Sequence, residues 1–109
     1  MNEKPNKEEK IVNLLSFASR MGKLLYGKER LERYLNGKGE RWLFMASDCS
    51  LNTQSFWEKK CSAVGCELFV FSNLTKRVLA KRLGKKELSA VSTTNTDIIN
   101  GIKKLLESH

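Results

Sequence analysis

Histidine is nearly missing from this chain: the one copy, His109, occupies the last position. A catalytic Cys–His pair would have only that terminal residue, where fraying is expected, to draw on. Cysteine is scarce too. Cys49, Cys61 and Cys66 are odd in number and follow no paired metal spacing, so no metal site and no cofactor are expected. They read as small apolar packing residues. Proline occurs once, at Pro5, where it can sit at or before a first helical turn. No apolar run approaches the roughly 18–20 residues needed to cross a bilayer, so no membrane partner is expected. The opening "MNEKPNKEEK" is charged at once and has no apolar h-region, which leaves the cytoplasm as the expected location. No Gly-x-x-x-x-Gly-Lys-Ser/Thr phosphate loop occurs.

What is present is a chain of 109 residues, 40% hydrophobic and 29% charged. That composition describes one globular domain with a single core. We expect a flexible tail over residues 1–6 and one domain over 7–109. The formal net charge is +8, and its placement matters more than its size. Residues 20–41 hold seven basic residues against three acidic ones, and residues 76–87 hold six against one. The remainder is slightly acidic. Clustering of this kind is the footprint of a polyanion site, although two solvated helix faces would give the same count.

Periodicity supplies the elements. Ile11, Leu14, Leu15 and Ala18 recur at helical spacing over Lys7–Ser19. "KLLY" reads as a short strand broken by Gly27. A second helix over about Lys28–Asn36 carries Leu31, Tyr34 and Leu35, and the glycines of "NGKG" end it. "RWLFMA" (41–46) is apolar throughout, the mark of a strand buried on both faces. "SDCSLNT" offers caps for a helix from about Asn52 to Val64. "CELFVFS" is a second apolar strand, followed by a basic helix over about Thr75–Leu83. "LSAVST" is a shorter strand, and "NTDIINGIKKLLES" is a final amphipathic helix. The expected fold is therefore an α/β/α three-layer sandwich with a small mixed, largely parallel central sheet. Ligands of such folds gather beyond the strand carboxyl ends, here Gly27–Lys28, Asp48–Ser50 and Ser72–Asn73.

Two stretches at those ends carry chemistry. In "GKERLER" (27–33), Glu29 and Arg33 stand four apart in the favourable order for a helix ion pair. Equally, a glycine at a strand-to-helix turn leaves helix N–H groups open to phosphate, flanked by Lys28, Arg30 and Arg33. "LGKKEL" (83–88) is either a helix cap with solvated lysines or a basic loop, Lys85 and Lys86, with an apolar tip, Leu88, that touches a base. Asp48 lacks a partner acid and reads as a turn and cap device. The aromatics Trp42, Phe44, Phe56, Trp57, Phe69 and Phe71 read as core.

The order "GKERLER", "ERWLFMASDCSLNT", "LAKRLGKKE" resembles the ribosomal protein family that includes the archaeal large-subunit kink-turn binder, the eukaryotic L-thirty-e protein and the bacterial YlxQ-type proteins. It looks closest to the bacterial group, whose acid-x-serine-x-asparagine-threonine stretch and later cysteine are similar to "ASDCSLNT" and Cys61. The resemblance covers about residues 10–106. It implies binding of structured, kink-turn RNA through a Gly-x-Asn-Glu-x-x-Lys motif, which falls here on Gly27, Glu29, Arg30 and Arg33. Glu29-Arg30 replaces Asn-Glu, and Arg33 replaces lysine. The family's Leu-Gly-x-x-x-Gly falls on Leu79, Ala80 and Gly84, with the first glycine lost. Its RNA-contacting loop falls on Lys85–Leu88. The resemblance places the motif turn and that loop on one side of the domain.

From these readings we expect a monomeric, non-enzymatic RNA-binding protein associated with ribosomal or other structured RNA. Its contacts would come from Gly27, Lys28, Glu29, Arg30, Arg33, Lys85, Lys86 and Leu88, with Ser50 secondary. An alternative of a different class is an adaptor that binds ribosomal or transcription-machinery proteins. A third is a truncated relative of RNA methyltransferases that carry this fold.

Overall fold

The computed structural model describes residues 6–107. Most of the expected tail, including Pro5, lies outside the described residues, as does His109. Asn6, assigned to that tail, instead caps the first helix: its side chain accepts from the Glu9 backbone N–H at 2.8 Å.

In chain order the elements are α1 (Lys7–Arg20), β1 (Leu24–Tyr26), α2 (Lys28–Leu35), β2 (Trp42–Met45), α3 (Leu51–Val64), β3 (Glu67–Val70), α4 (Lys76–Arg82), β4 (Ala90–Thr93) and α5 (Thr96–Glu107). Every expected element is present, with ends shifted by a residue or two. Local chemistry explains several ends. The Ser50 hydroxyl accepts from the Thr53 N–H at 3.2 Å and starts α3. Gly65 closes it in the left-handed region at φ 73°, and the next N–H, of Cys66, donates back to the Cys61 carbonyl. Asp48 is a cap device as expected, but for a distant helix. Its carboxylate accepts from the Lys76 N–H at 2.7 Å, at the start of α4.

The strands form one sheet in the order β1-β4-β2-β3. Alternation along β2 divides the core. Phe44 faces a cluster with Ile11, Leu15, Leu79 and Ile102 from α1, α4 and α5. Leu43 and Met45 face a second cluster with Leu31, Leu35, Trp57 and Cys61 from α2 and α3. Each fully buried leucine or isoleucine contributes on the order of 1.5–3 kcal/mol. The sheet thus has helices on both faces, as the α/β/α expectation required.

The sheet is mixed, but it is not largely parallel. Only β2 and β3 run parallel, while β4 is antiparallel to both β1 and β2. An apolar run signals burial, and burial does not set strand direction. β3 also departs from the expected buried strand. It is an edge, with Glu67 and Val70 exposed.

Candidate nucleic-acid interface

The β1–α2 turn depends on Gly27, whose φ of 87° and ψ of 142° suit a residue without a Cβ. With no side chain to cap α2, the first-turn N–H groups have no intrahelical partner and point outward. α2 then buries Leu31 and Leu35 and leaves Lys28, Glu29, Arg30 and Arg33 exposed. Glu29 and Arg33 do not pair. Glu32 instead reaches Lys60 of α3 at 3.1 Å.

Three segments that are far apart in sequence meet beside this turn. Gly27, Lys28 and Leu31, the α3 residues Asn52, Thr53, Phe56 and Trp57, and the loop residues Glu87, Leu88, Ser89 and Ala90 enclose a cleft of about 520 Å³. The loop is anchored at both sides. The Lys85 N–H donates to the Ala80 carbonyl at 2.8 Å, and the Ser89 carbonyl accepts from the Ala46 N–H at 2.8 Å and from the Cys49 thiol at 3.4 Å. Burial pushes the Cys49 thiol above its ordinary value, so it serves as a neutral donor.

Two lysines here stand on aromatic faces. Lys28 Nζ lies 4.7 Å from the Phe56 ring centre, and Lys85 Nζ lies 4.7 Å from that of Tyr26. Such a contact adds about 0.5–1 kcal/mol at an exposed site. It also restrains a long side chain that would otherwise lose more rotamer freedom on meeting a phosphate. Among the described residues, the ion pairs are Lys60–Glu32, Arg82–Glu9 and Lys103–Glu40. Lys28, Arg30, Arg33, Lys85 and Lys86 belong to none of them.

Not every residue picked from the sequence takes the place expected of it. Leu88 is not an exposed tip. It is 3% exposed, packs in the core beneath the loop and forms part of the cleft wall. A leucine two residues before a buried strand gains more from the core than from water. Arg33 lines a different cleft, with Lys38, Thr94 and Asn100, where β2 begins and β4 ends. That is the opposite end of the sheet from Gly27. The Ser50 hydroxyl is spent on Thr53, accepting from its N–H and donating to its hydroxyl at 3.0 Å. Lys86 is exposed at the loop.

Sequence reasoning missed Tyr26 and Phe56 as supports for cations, and Asn52 and Thr53 as cleft walls. Phe56 packs against the same core cluster as Trp57 but stays partly exposed, so one ring serves both the core and Lys28, and no local pattern in the sequence marks that double use. Among the described residues, no group of three or more His, Cys, Asp or Glu side chains is placed to hold a metal ion.

No known family model matches this chain, and no curated protein is significantly similar to it in sequence. Solved structures similar to it include a Bacillus halodurans protein of unknown function, with a TM-score of 0.78 and 20% identity over 91% of this chain and 98% of that one. They also include the Giardia lamblia 15.5 kD RNA-binding protein, with a TM-score of 0.76 and 13% identity over 98% of this chain and 88% of that one. At these identities the likeness establishes a shared fold.

Proposed function

We propose that this protein is a monomeric, non-catalytic RNA binder of the cytoplasm that holds structured, kink-turn-like RNA, ribosomal RNA included, in the cleft beside Gly27. The reading rests chiefly on one observation. The glycine turn, the start of α3 and residues 87–90 enclose a single cleft; Lys28 in its wall stands on Phe56, Lys85 just before the lining residues stands on Tyr26, and neither belongs to an ion pair among the described residues. The fold shared with an RNA-binding protein from Giardia lamblia supports it, as does the resemblance of the 27–33 and 83–88 stretches to the bacterial kink-turn-binder group. Lys28, Lys85 and Lys86 would meet phosphates, which position the RNA without specifying it. Arg30 would read a guanine edge through its forked guanidinium.

Titration of a kink-turn hairpin by fluorescence anisotropy at several salt concentrations tests this. Each neutralised phosphate adds about −0.9 to the slope of log affinity on log salt, so the slope should lie well beyond −1. Lys85→Ala with Lys86→Ala should weaken binding to many RNAs and preserve their ranking. Arg30→Ala should cost about 1–3 kcal/mol of discrimination between target and non-target RNA. A flat salt dependence in the wild-type protein ends the RNA reading. Retention of a protein instead of nucleic acid on purification from cells would favour the adaptor.

A further inference from the structure

The second basic cluster of the sequence, residues 76–87, is only partly used by the cleft. Lys85 and Lys86 immediately precede Glu87 in the cleft wall, whereas the other basic residues of the cluster lie on α4. That helix buries Leu79 and Ala80 and turns Arg77, Val78 and Lys81 to solvent. Arg77 and Lys81 are four residues apart, which sets them about 6 Å apart along the axis on one face. Val78 beside them is 43% exposed.

The acids around α4 are mostly committed elsewhere. Glu9 pairs with Arg82 at 3.1 Å, and the same guanidinium donates to Asn13 at 3.2 Å. Glu8 accepts from the Ser72 backbone N–H and hydroxyl. Asp48 accepts from the Lys76 N–H. Glu87 lies on the cleft wall. Arg82 and the Lys76 amide are thus satisfied within the fold, whereas Arg77 and Lys81 make no ion pair among the described residues. α4 also leads, through Gly84–Lys86, into the segment that lines the cleft. The Lys85 N–H bonds the Ala80 carbonyl, and the Lys85 ammonium reaches Tyr26, the residue before Gly27.

We propose that the outer face of α4, through Arg77 and Lys81, binds the phosphate backbone of an RNA duplex stem flanking the part held in the cleft. The inference rests on the RNA-binding reading of that cleft and adds a second, sequence-independent contact. The face carries cations at fixed helical spacing and no aromatic ring. A surface built for unpaired bases would present stacking platforms, so this one suits a duplex backbone better than a single strand.

The test uses two RNAs: a plain duplex of about 20 base pairs, and the same duplex interrupted by a kink-turn. Binding is followed by anisotropy from about 50 to 200 mM salt. The variant is Arg77→Gln with Lys81→Gln. Its charge-matched control is Lys59→Gln with Lys104→Gln, at exposed positions on α3 and α5. Wild type and control should bind the plain duplex alike. The α4 variant should bind it about tenfold more weakly, with a log–log slope shallower by about 1.8, two contacts at about 0.9 each. Arg77→Lys with Lys81→Arg should restore both, and circular dichroism verifies that each variant is folded. The proposal is overturned if wild type does not bind the plain duplex, if the α4 variant keeps the wild-type affinity and slope, or if the control falls as far. Failure of the cleft reading would look different: the interrupted duplex would be bound no better than the plain one.

Discussion

Arg41 and Arg30 carry the same charge in the same basic segment, yet the fold uses them differently. The Arg41 guanidinium donates to the carbonyls of Leu35 and Gly37, to Gly39 at 3.1 Å and to Val64 at 3.0 Å. It closes the ends of α2 and α3 and has no carboxylate partner. Arg41→Met should therefore lose about 2–3 kcal/mol in urea denaturation, the cost of leaving several carbonyls unsatisfied. Arg30→Ala should stay within about 0.5 kcal/mol, as exposed substitutions without partners do. Equal losses for the two would contradict this division of labour. Gly27 makes a second residue-scale case. A Cβ there would meet nothing within 4 Å, so the φ of +87° is the whole objection to a side chain. Gly27→Ala should cost about 1–3 kcal/mol through backbone strain alone. A variant with an unchanged denaturation midpoint would show that the turn relaxes.

At the scale of elements, α3 holds one wall of the cleft, so what starts and steers it matters. Ser50 satisfies the Thr53 N–H, and Lys60 ties the helix to Glu32 of α2 at 3.1 Å. Loss of the cap in Ser50→Ala should lower stability by about 1 kcal/mol, and Ser50→Asp should recover it because aspartate caps as well as serine. Failure of aspartate to rescue would mean that Ser50 contributes something besides capping. The surface pair should matter less, at most about 1 kcal/mol. The same α3 carries Cys61 into the core. Its hydrogen bond with Cys66, then burial, pushes the Cys66 thiol far above its ordinary value. That agrees with a packing role for Cys66 rather than a reactive one, while the same hydrogen bond lowers the Cys61 thiol.

Across the whole molecule, one ion pair joins the last helix to the loop before β2. Glu40 meets Lys103 at 3.1 Å and also accepts from the Trp42 indole at 3.3 Å. Those hydrogen bonds, the one from Lys103 first, hold the Glu40 carboxyl below its ordinary value of 4.5. A lowered folded-state value means that the carboxylate supports the fold above 4.5 and that this support fades as pH falls through the folded value. Lys103 is raised above 10.5 by the same partner, so its share is present below that value and lost as pH rises past it. The pair therefore acts throughout the neutral range. The urea midpoint of Glu40→Gln should lie below wild type at neutral pH, and the two should converge on acidification below 4.5. A gap that stays constant would assign the loss to packing.

The apolar spacing of α1, α2 and α5, the glycines at 27, 65 and 84, and the basic stretches at 27–33 and 76–87 are local patterns. Neighbouring residues express them whatever the rest of the chain does, and they determined the elements and the end of the sheet where the cleft lies. The direction of β4, the burial of Leu88, the removal of Arg33 to the far end of the sheet, and the seating of Lys28 on Phe56 and Lys85 on Tyr26 had no local signature. Each depends on segments distant in sequence competing for the same core or surface. The same is true of Arg41 and Arg82, which count as free cations in the sequence and act as struts in the fold. Charge can be counted along a chain, but whether a charge is free is decided by the carbonyls and carboxylates that tertiary packing brings beside it.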